Sequence, residues 1–284
     1  MTDTSLTPAA AAPGRPKTKW PLLARVGAVV FGFWVFIALF GGVLAPYSPG
    51  EFVDDWDVLS PISSTFPLGS DYLGRDVLSR VMAGAKYTVG VPMLTAALAL
   101  LIGLVLGILA TLFHPTIDAA LSWLMDTVNS LPSTIFAMVA VAGFGTSISV
   151  LIVVITLLYI PSAYRNIRSA AINISRLDFA EVARVRGEGR IYIIFREILP
   201  NVIPNMLTHF GITFIYIALL LSGLSFLGLG IQPPETDWGA IVAENMVGLS
   251  YGAPAVFAPA LCLLSLTVSM TFMVDAVSQR KKER

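Results

Sequence analysis

Apolar residues along this chain fall in long uninterrupted runs, and six of these are long enough to cross about 30 Å of hydrocarbon as helices. They are Pro21–Pro46, Thr88–Phe113, Ala119–Ala142, Ser147–Tyr164, Val202–Leu229 and Ala253–Val274. The pattern predicts an all-α polytopic membrane protein with six transmembrane helices, because a helix satisfies its own backbone polar groups where water cannot. The remaining stretches divide the chain into a tail over 1–20, a first crossing over 21–46, a loop with an interfacial helix over 47–87, five further crossings within 88–276, and a basic tail over 277–284. The first tail is rich in Ala, Pro, Ser and Thr, cannot build a core, and is expected to be disordered. The run that follows is too long and begins too late for a cleaved signal peptide, so it reads as an uncleaved anchor.

Composition points the same way. The 284 residues are 56% hydrophobic and 13% charged, against roughly 25% charged in an ordinary soluble domain. Formal net charge is zero, which gives no reason to expect a nucleic-acid partner. A single cysteine, Cys262, rules out an internal disulfide. The distribution of charge is more informative than its sum. Arg15, Lys17 and Lys19, the seven arginines from Arg165 to Arg196, and the C-terminal "RKKER" all fall on one side if there are six crossings. The positive-inside rule makes that side cytoplasmic, with both termini on it. The opposite side receives Glu51, Asp54, Asp55, Asp57, Asp71 and Asp76 in one loop and Glu235, Asp237 and Glu244 in another.

The cytoplasmic stretch "FAEVARVRGEGRIYIIFREILPN", Phe179 to Asn201, has helical spacing but too much charge to enter lipid. Ser175 followed by Asp178 has the spacing of an N-terminal cap, and Gly187 and Gly189 supply a C-terminal stop. Phe179, Val182, Ala183 and Arg186 share one face, while Glu181, Arg184 and Glu188 line another. A rod of about eleven residues, roughly 16 Å long, is marginal alone in water. It is expected either to pack into a groove of a partner or to be a solvated loop helix that anchors positive charge inside.

"EVARVRG", Glu181 to Gly187, followed by "REILPN", Arg196 to Asn201, resembles the EAA loop of membrane subunits of bacterial ABC importers. "FPLGSDYLGRDVLSRVMAGAKYT", Phe66 to Thr88, and "LSFLGLGIQPPETDWGAI", Leu224 to Ile241, narrow the resemblance to permeases of the dipeptide, oligopeptide and nickel class. Within that class the chain is most similar to the dipeptide or oligopeptide C type. Val182 and Arg186 depart from the usual motif, as do Glu188 and Gly189 after Gly187. The resemblance implies a type I importer permease in the bacterial plasma membrane, with segment 175–190 holding a coupling helix that sits in a cleft of a cytoplasmic ATPase. It implies as partners a second related permease, two ATPase subunits carrying ATP and magnesium, an external solute-binding protein and a peptide substrate. It implies no cofactor, metal or catalytic residue on this chain. The expected docking surface for the binding protein comprises Tyr47–Thr88 and Gln232–Gly248, with Asp237 and Trp238 in it, or else these loops form a structural plug over the bundle.

The residues leave other readings open. No G-x-x-x-x-G-K-[ST] phosphate loop occurs, and "AGAKYT" is the nearest approach, so energy must come from another polypeptide or an ion gradient. A gradient-driven carrier would want ionisable residues within the bundle. Asp126, with Asn129 and Ser130 after it, is the candidate for such a translocation path, or else an interfacial acid paired with a local donor. An intramembrane hydrolase would need Ser225 and His209 to meet, but sixteen residues of helix set them about 24 Å apart. Gly103 and Gly107 form a small-xxx-small pair in the second crossing that would let a neighbouring helix approach closely. Pro161 and Pro259 are expected to bend the fourth and sixth crossings, and Trp56, Trp238, Tyr47, Tyr72 and Tyr251 to form an outer aromatic belt or, equally, a docking surface.

Overall fold

The computed structural model describes residues 21–53, 58–112 and 115–282, and its regular structure is helical. The tail over 1–20, Trp56 with its neighbours Asp54, Asp55 and Asp57, and His114 lie outside the described residues. The helices run in the order α1 (Leu22–Leu44), α2 (Val77–Leu112), α3 (Pro115–Asn129), α4 (Ser133–Phe144), α5 (Ile148–Ser175) and α6 (Asp178–Val185). A single turn, α7 (Arg190–Tyr192), then leads through a π-helical stretch, Ile193–Ile198, into α8 (Leu199–Phe226). Beyond it come α9 (Trp238–Glu244), a 3-10 turn over Met246–Tyr251 and α10 (Pro254–Lys282).

Among the described residues, five helical segments are long and apolar enough to cross a membrane: α1, α2, α5, the α7–α8 rod and α10. The third predicted crossing is not a straight rod. It is split into α3 and α4, bent by 82° at the break, and makes a sixth span only if the pair crosses together. The cause is local, since Pro132 cannot donate a helical N–H and pushes Leu131 out of the helical region. Two other predicted boundaries also shift. The segment from Val77 to Thr88, expected to lie as a separate helix at the outer interface, is the first part of α2. The fourth crossing continues past Tyr164 to Ser175, carrying Arg165 and Arg168 on its cytoplasmic end.

Close contact between α2 and α5 is set by glycine. A Cβ at Gly103 would lie 2.6 Å from Ala163 Cβ and 2.9 Å from the Tyr164 backbone nitrogen, and one at Gly107 would stand 3.2 Å from the Arg168 nitrogen. The small-xxx-small pair therefore faces α5, where it lets two backbones touch. Pro161 and Pro259 sit within continuous helices. Before α8 the register loosens into the π stretch, which matches the missing N–H of Pro200 and the clash of its ring with the Arg196 carbonyl. The core is built from fully buried Trp238, Tyr164, Phe66 and Phe214 and the branched aliphatics around them. Much of the remaining apolar surface is uncovered by this chain, including Leu39, Val139 and Leu261, as expected of helices that meet lipid or another subunit.

Candidate functional site

The cytoplasmic helix forms, but it is shorter than the spacing predicted. Ser175 ends α5 and donates its hydroxyl to the Ile172 carbonyl at 2.8 Å, so it is unavailable as a cap. Leu177 precedes α6 instead, with no capping side chain, and α6 has eight residues. Asp178 and Glu181 in the first turn and Arg184 in the last suit the helix dipole. Gly187 takes φ +81°, with its N–H on the Arg184 carbonyl at 3.0 Å and the Glu188 N–H on the Ala183 carbonyl at 3.2 Å. That is a glycine-closed helix end in which a side chain would be strained.

The faces of α6 also differ from the expected grouping. Ala180 and Ala183 are buried, and Ala183 joins Ile193, Ile194 and Ile198 in one apolar cluster. Phe179 and Val182 are exposed, as are Glu181, Arg184 and Arg186. Asp178, Glu181, Val182, Val185 and Arg186 line a shallow outward depression. Ala183 is thus the foot of the helix on its own chain, while Val182 and Arg186 face away.

Asp126 lies 3.7 Å from Arg165 Nη1 and is 62% exposed, so it forms a loose local pair at the edge of the bundle. Asn129 and Ser130 are exposed at the α3–α4 break. None of the three lines a cavity of about 850 Å³ that lies between the cytoplasmic halves of α5 and α8. Ser162, Arg165, Asn166, Ser169 and Asn173 supply the α5 wall, and Asn201, Asn205 and His209 face them from α8. Apart from His209, which the sequence offered only as a hydrolase partner of Ser225, none of these side chains stands out as a site by residue type. The available signal was periodicity: polar residues recur at three- and four-residue steps on each helix. His209 and Ser225 remain apart, since Ser225 bonds the Ile231 N–H at 3.1 Å at the outer end of α8.

At the outer end, Asp237 and Trp238 are buried to 0% exposure, which corrects their assignment to a docking surface. Asp237 caps α9, accepting the Ala240 N–H on Oδ1 at 2.9 Å, while its Oδ2 has no hydrogen-bond partner. Trp238 donates Nε1–H to the Val81 carbonyl at 2.9 Å and its backbone N–H to Thr88 Oγ1 at 3.1 Å. The aromatic residue that sequence placed in an interfacial belt instead pins α9 to α2. Tyr251 is exposed, as a belt residue should be.

Burial pushes the Asp237 carboxyl up to about 7, against the lowering effect of the Ala240 amide. A carboxyl raised in the folded state contributes stability that is fully present below its unfolded value near pH 4 and is lost as pH rises through about 7. The melting temperature in detergent should therefore fall as pH rises from about 4 to about 7 and level off above that. Asp237→Asn, which keeps a capping oxygen, should flatten that fall by the equivalent of a few kcal/mol, on the order of the linked shift. Equal pH slopes for the variant and the parent would refute the assignment.

A bundle of apolar helices with one short charged helix standing outside it is the architecture of a type I ABC importer permease. The chain belongs to the family of binding-protein-dependent transport system inner membrane components, whose model matches residues 99–283. It is a multi-pass transport subunit of the bacterial inner membrane, and in this family ATP is hydrolysed by separate subunits. It is 30% identical over 249 residues to the di/tripeptide transport permease DppC of Pseudomonas aeruginosa, covering 86% of this chain and 82% of that protein. It is 30% identical over 276 residues to the peptide transport permease SapC of Escherichia coli, covering 93% of each. The glutathione transport permease GsiD of Pectobacterium atrosepticum is 27% identical, over 88% of this chain and 84% of that protein. Among solved structures, an inward-facing MetNI methionine ABC transporter matches with a TM-score of 0.58 at 18% identity, over 69% of this chain and 94% of that one. An amino acid ABC transporter crystallised with histidines matches at 0.55 and 16%, over 72% and 93%.

Proposed function

We propose that this chain is one of two related permease subunits of an importer that moves dipeptides or short oligopeptides by alternating access. Its partners are a second permease, two ATPase subunits that bind ATP and magnesium, and an external peptide-binding protein. The observation that carries the reading is the setting of α6. Its outward face offers Glu181, Val182, Val185 and Arg186 to a cleft, while its foot, Ala183, rests on Ile193, Ile194 and Ile198. A push on α6 by closing ATPases reaches α8 through that apolar contact, and reaches α5 through the short Arg176–Leu177 link. Peptide as the substrate is supported by the peptide permeases among the relatives.

A gradient-driven carrier fits less well. Asp118 is held by Arg168 in a two-pronged ion pair, with Nε to Oδ1 at 2.5 Å, and Asp126 is largely exposed. Neither is placed as a buried acid that loads and releases an ion. Nickel or another solute remains a competing cargo for the same machine.

Co-purification tests the coupling role. The tagged chain, expressed with its candidate ATPase and permease partners, should retain the ATPase as wild type. Glu181→Arg and Gly187→Trp should lose or uncouple it while the second permease stays bound. Retention of a fully coupled ATPase by both variants would reduce α6 to a solvated loop helix. Uptake into proteoliposomes, with a labelled dipeptide against nickel ions, separates the cargoes.

A further inference from the structure

We infer that the cavity between α5 and α8 is a substrate site that takes the carboxylate end of a peptide, with Arg165 as its anion partner. The inference rests on the importer reading and specifies the chemistry of the path within it.

Polar side chains in a membrane helix persist where they face water, a ligand or one another. On α5, Ser162, Asn166, Ser169 and Asn173 recur at steps of four, three and four residues, which makes one stripe. On α8, Asn201, Asn205 and His209 recur at steps of four. The two stripes run antiparallel and face each other across the cavity, touching at Asn205 Nδ2 and Asn166 Oδ1, 3.5 Å apart. The lining contains one guanidinium, one imidazole and four carboxamides, and no carboxylate. Its fixed charge is therefore positive, and it favours an anionic group.

Arg165 is available for that group. Its contact with Asp126 is long at 3.7 Å, and both side chains are about half or more exposed. Such a pair contributes little, so a ligand carboxylate able to make two parallel N–H bonds to the guanidinium can displace it. His209 adds an imidazole to the α8 side of the lining.

The carboxamides give the site its peptide character. Each both donates and accepts, matching the N–H and C=O of a peptide unit. Four helical residues advance about 6 Å, and two residues of extended chain advance nearly 7 Å. Asn201 and Asn205, the amides on a four-residue step, thus meet alternate units of an extended peptide without reading its side chains. Such recognition tolerates varied sequences but demands a backbone and a free carboxylate.

The test uses the complete transporter in proteoliposomes, with Ala170→Cys, a lining position that carries no polar group of the site, in a Cys262→Ala background as the reporter for a water-soluble maleimide. Alanyl-alanine should slow labelling, while alanyl-alaninamide and acetate at the same concentration should not. Arg165→Gln should raise the alanyl-alanine concentration needed for half-protection by about 10-fold or more, as expected for losing a charged hydrogen bond, and Arg165→Lys should restore part of it. Equal protection by the amide would overturn carboxylate recognition, and equal protection by acetate would reduce the site to a simple anion site. Dissociation of the two permeases by Arg165→Gln would make Arg165 an interface residue and overturn the proposal. Unprotected labelling in a transporter that still takes up alanyl-alanine with ATP would remove the site and leave the importer reading intact. Loss of that uptake in the wild type would instead remove the peptide reading beneath it.

Discussion

Arg80→Met is expected to destabilise the outer end of the bundle by about 3–5 kcal/mol, the cost of leaving one member of a buried ion pair without its partner. Arg80 is 3% exposed and reaches Asp71 Oδ2 at 2.7 Å and Glu244 Oε2 at 2.8 Å. Asp71, at 0%, also holds Arg75 Nε at 2.6 Å, and Arg75 in turn reaches Glu244 at 2.9 Å. Two arginines and two acids therefore tie the loop after α1 and the first turn of α2 to the end of α9, and the Tyr72 N–H on Asn245 Oδ1 at 2.9 Å adds a neutral tie. A thermal melt in detergent should fall by on the order of 10 °C. Arg75→Met should cost less, because its side chain is closer to solvent. The pair Asp71→Asn with Arg80→Met should recover part of the loss, since both charges are removed while an amide oxygen still accepts the Leu73 and Arg75 N–H groups. A melt for Arg80→Met matching wild type would show that the network is dispensable.

Trp238→Ala is the second large effect, at about 3–5 kcal/mol for removing a fully buried ring. The indole stands edge-on to Trp34, with ring centroids 4.7 Å apart, and its Nε1–H reaches across to α2. Deleting it would open a cavity where α1, α2 and α9 meet. Trp238→Phe keeps most of the packing and should cost about 1–2 kcal/mol, the range of one buried hydrogen bond and some volume. Trp123→Ala, at a ring 71% exposed on this chain, serves as the control and should leave the melt nearly unchanged. Weaker association with an external binding protein in Trp238→Ala should appear only in proportion to unfolding. A folded variant that has lost such binding would return Trp238 to the docking surface.

These two predictions concern residues whose roles were not legible in the chain. "PETDWG" shows a tryptophan beside an acid in an external loop, a pattern equally suited to a belt, a docking patch or a core anchor. Which one holds depends on Val81 and Thr88, about 150 residues away in the chain. The break at Ser130–Pro132 was visible as a proline but not as an 82° bend, because proline is also tolerated inside α5 and α10 where neighbours support the helix. Ser175 looked like a cap by spacing alone, until the extension of α5 occupied its hydroxyl.

By itself the sequence determined what depends on local pattern and on solvent. Long apolar runs dictated helices in lipid, arginine placement dictated which ends face the cytoplasm, and Gly187 dictated where α6 stops, since few other residues adopt its positive φ. Tertiary structure alone decided what depends on distant partners. It set which face of α6 is foot and which is free, that Asp237 and Trp238 are core, and that two polar stripes separated in the chain confront each other across one cavity. Periodicity places a side chain on a face of its own helix, and only packing decides what that face meets.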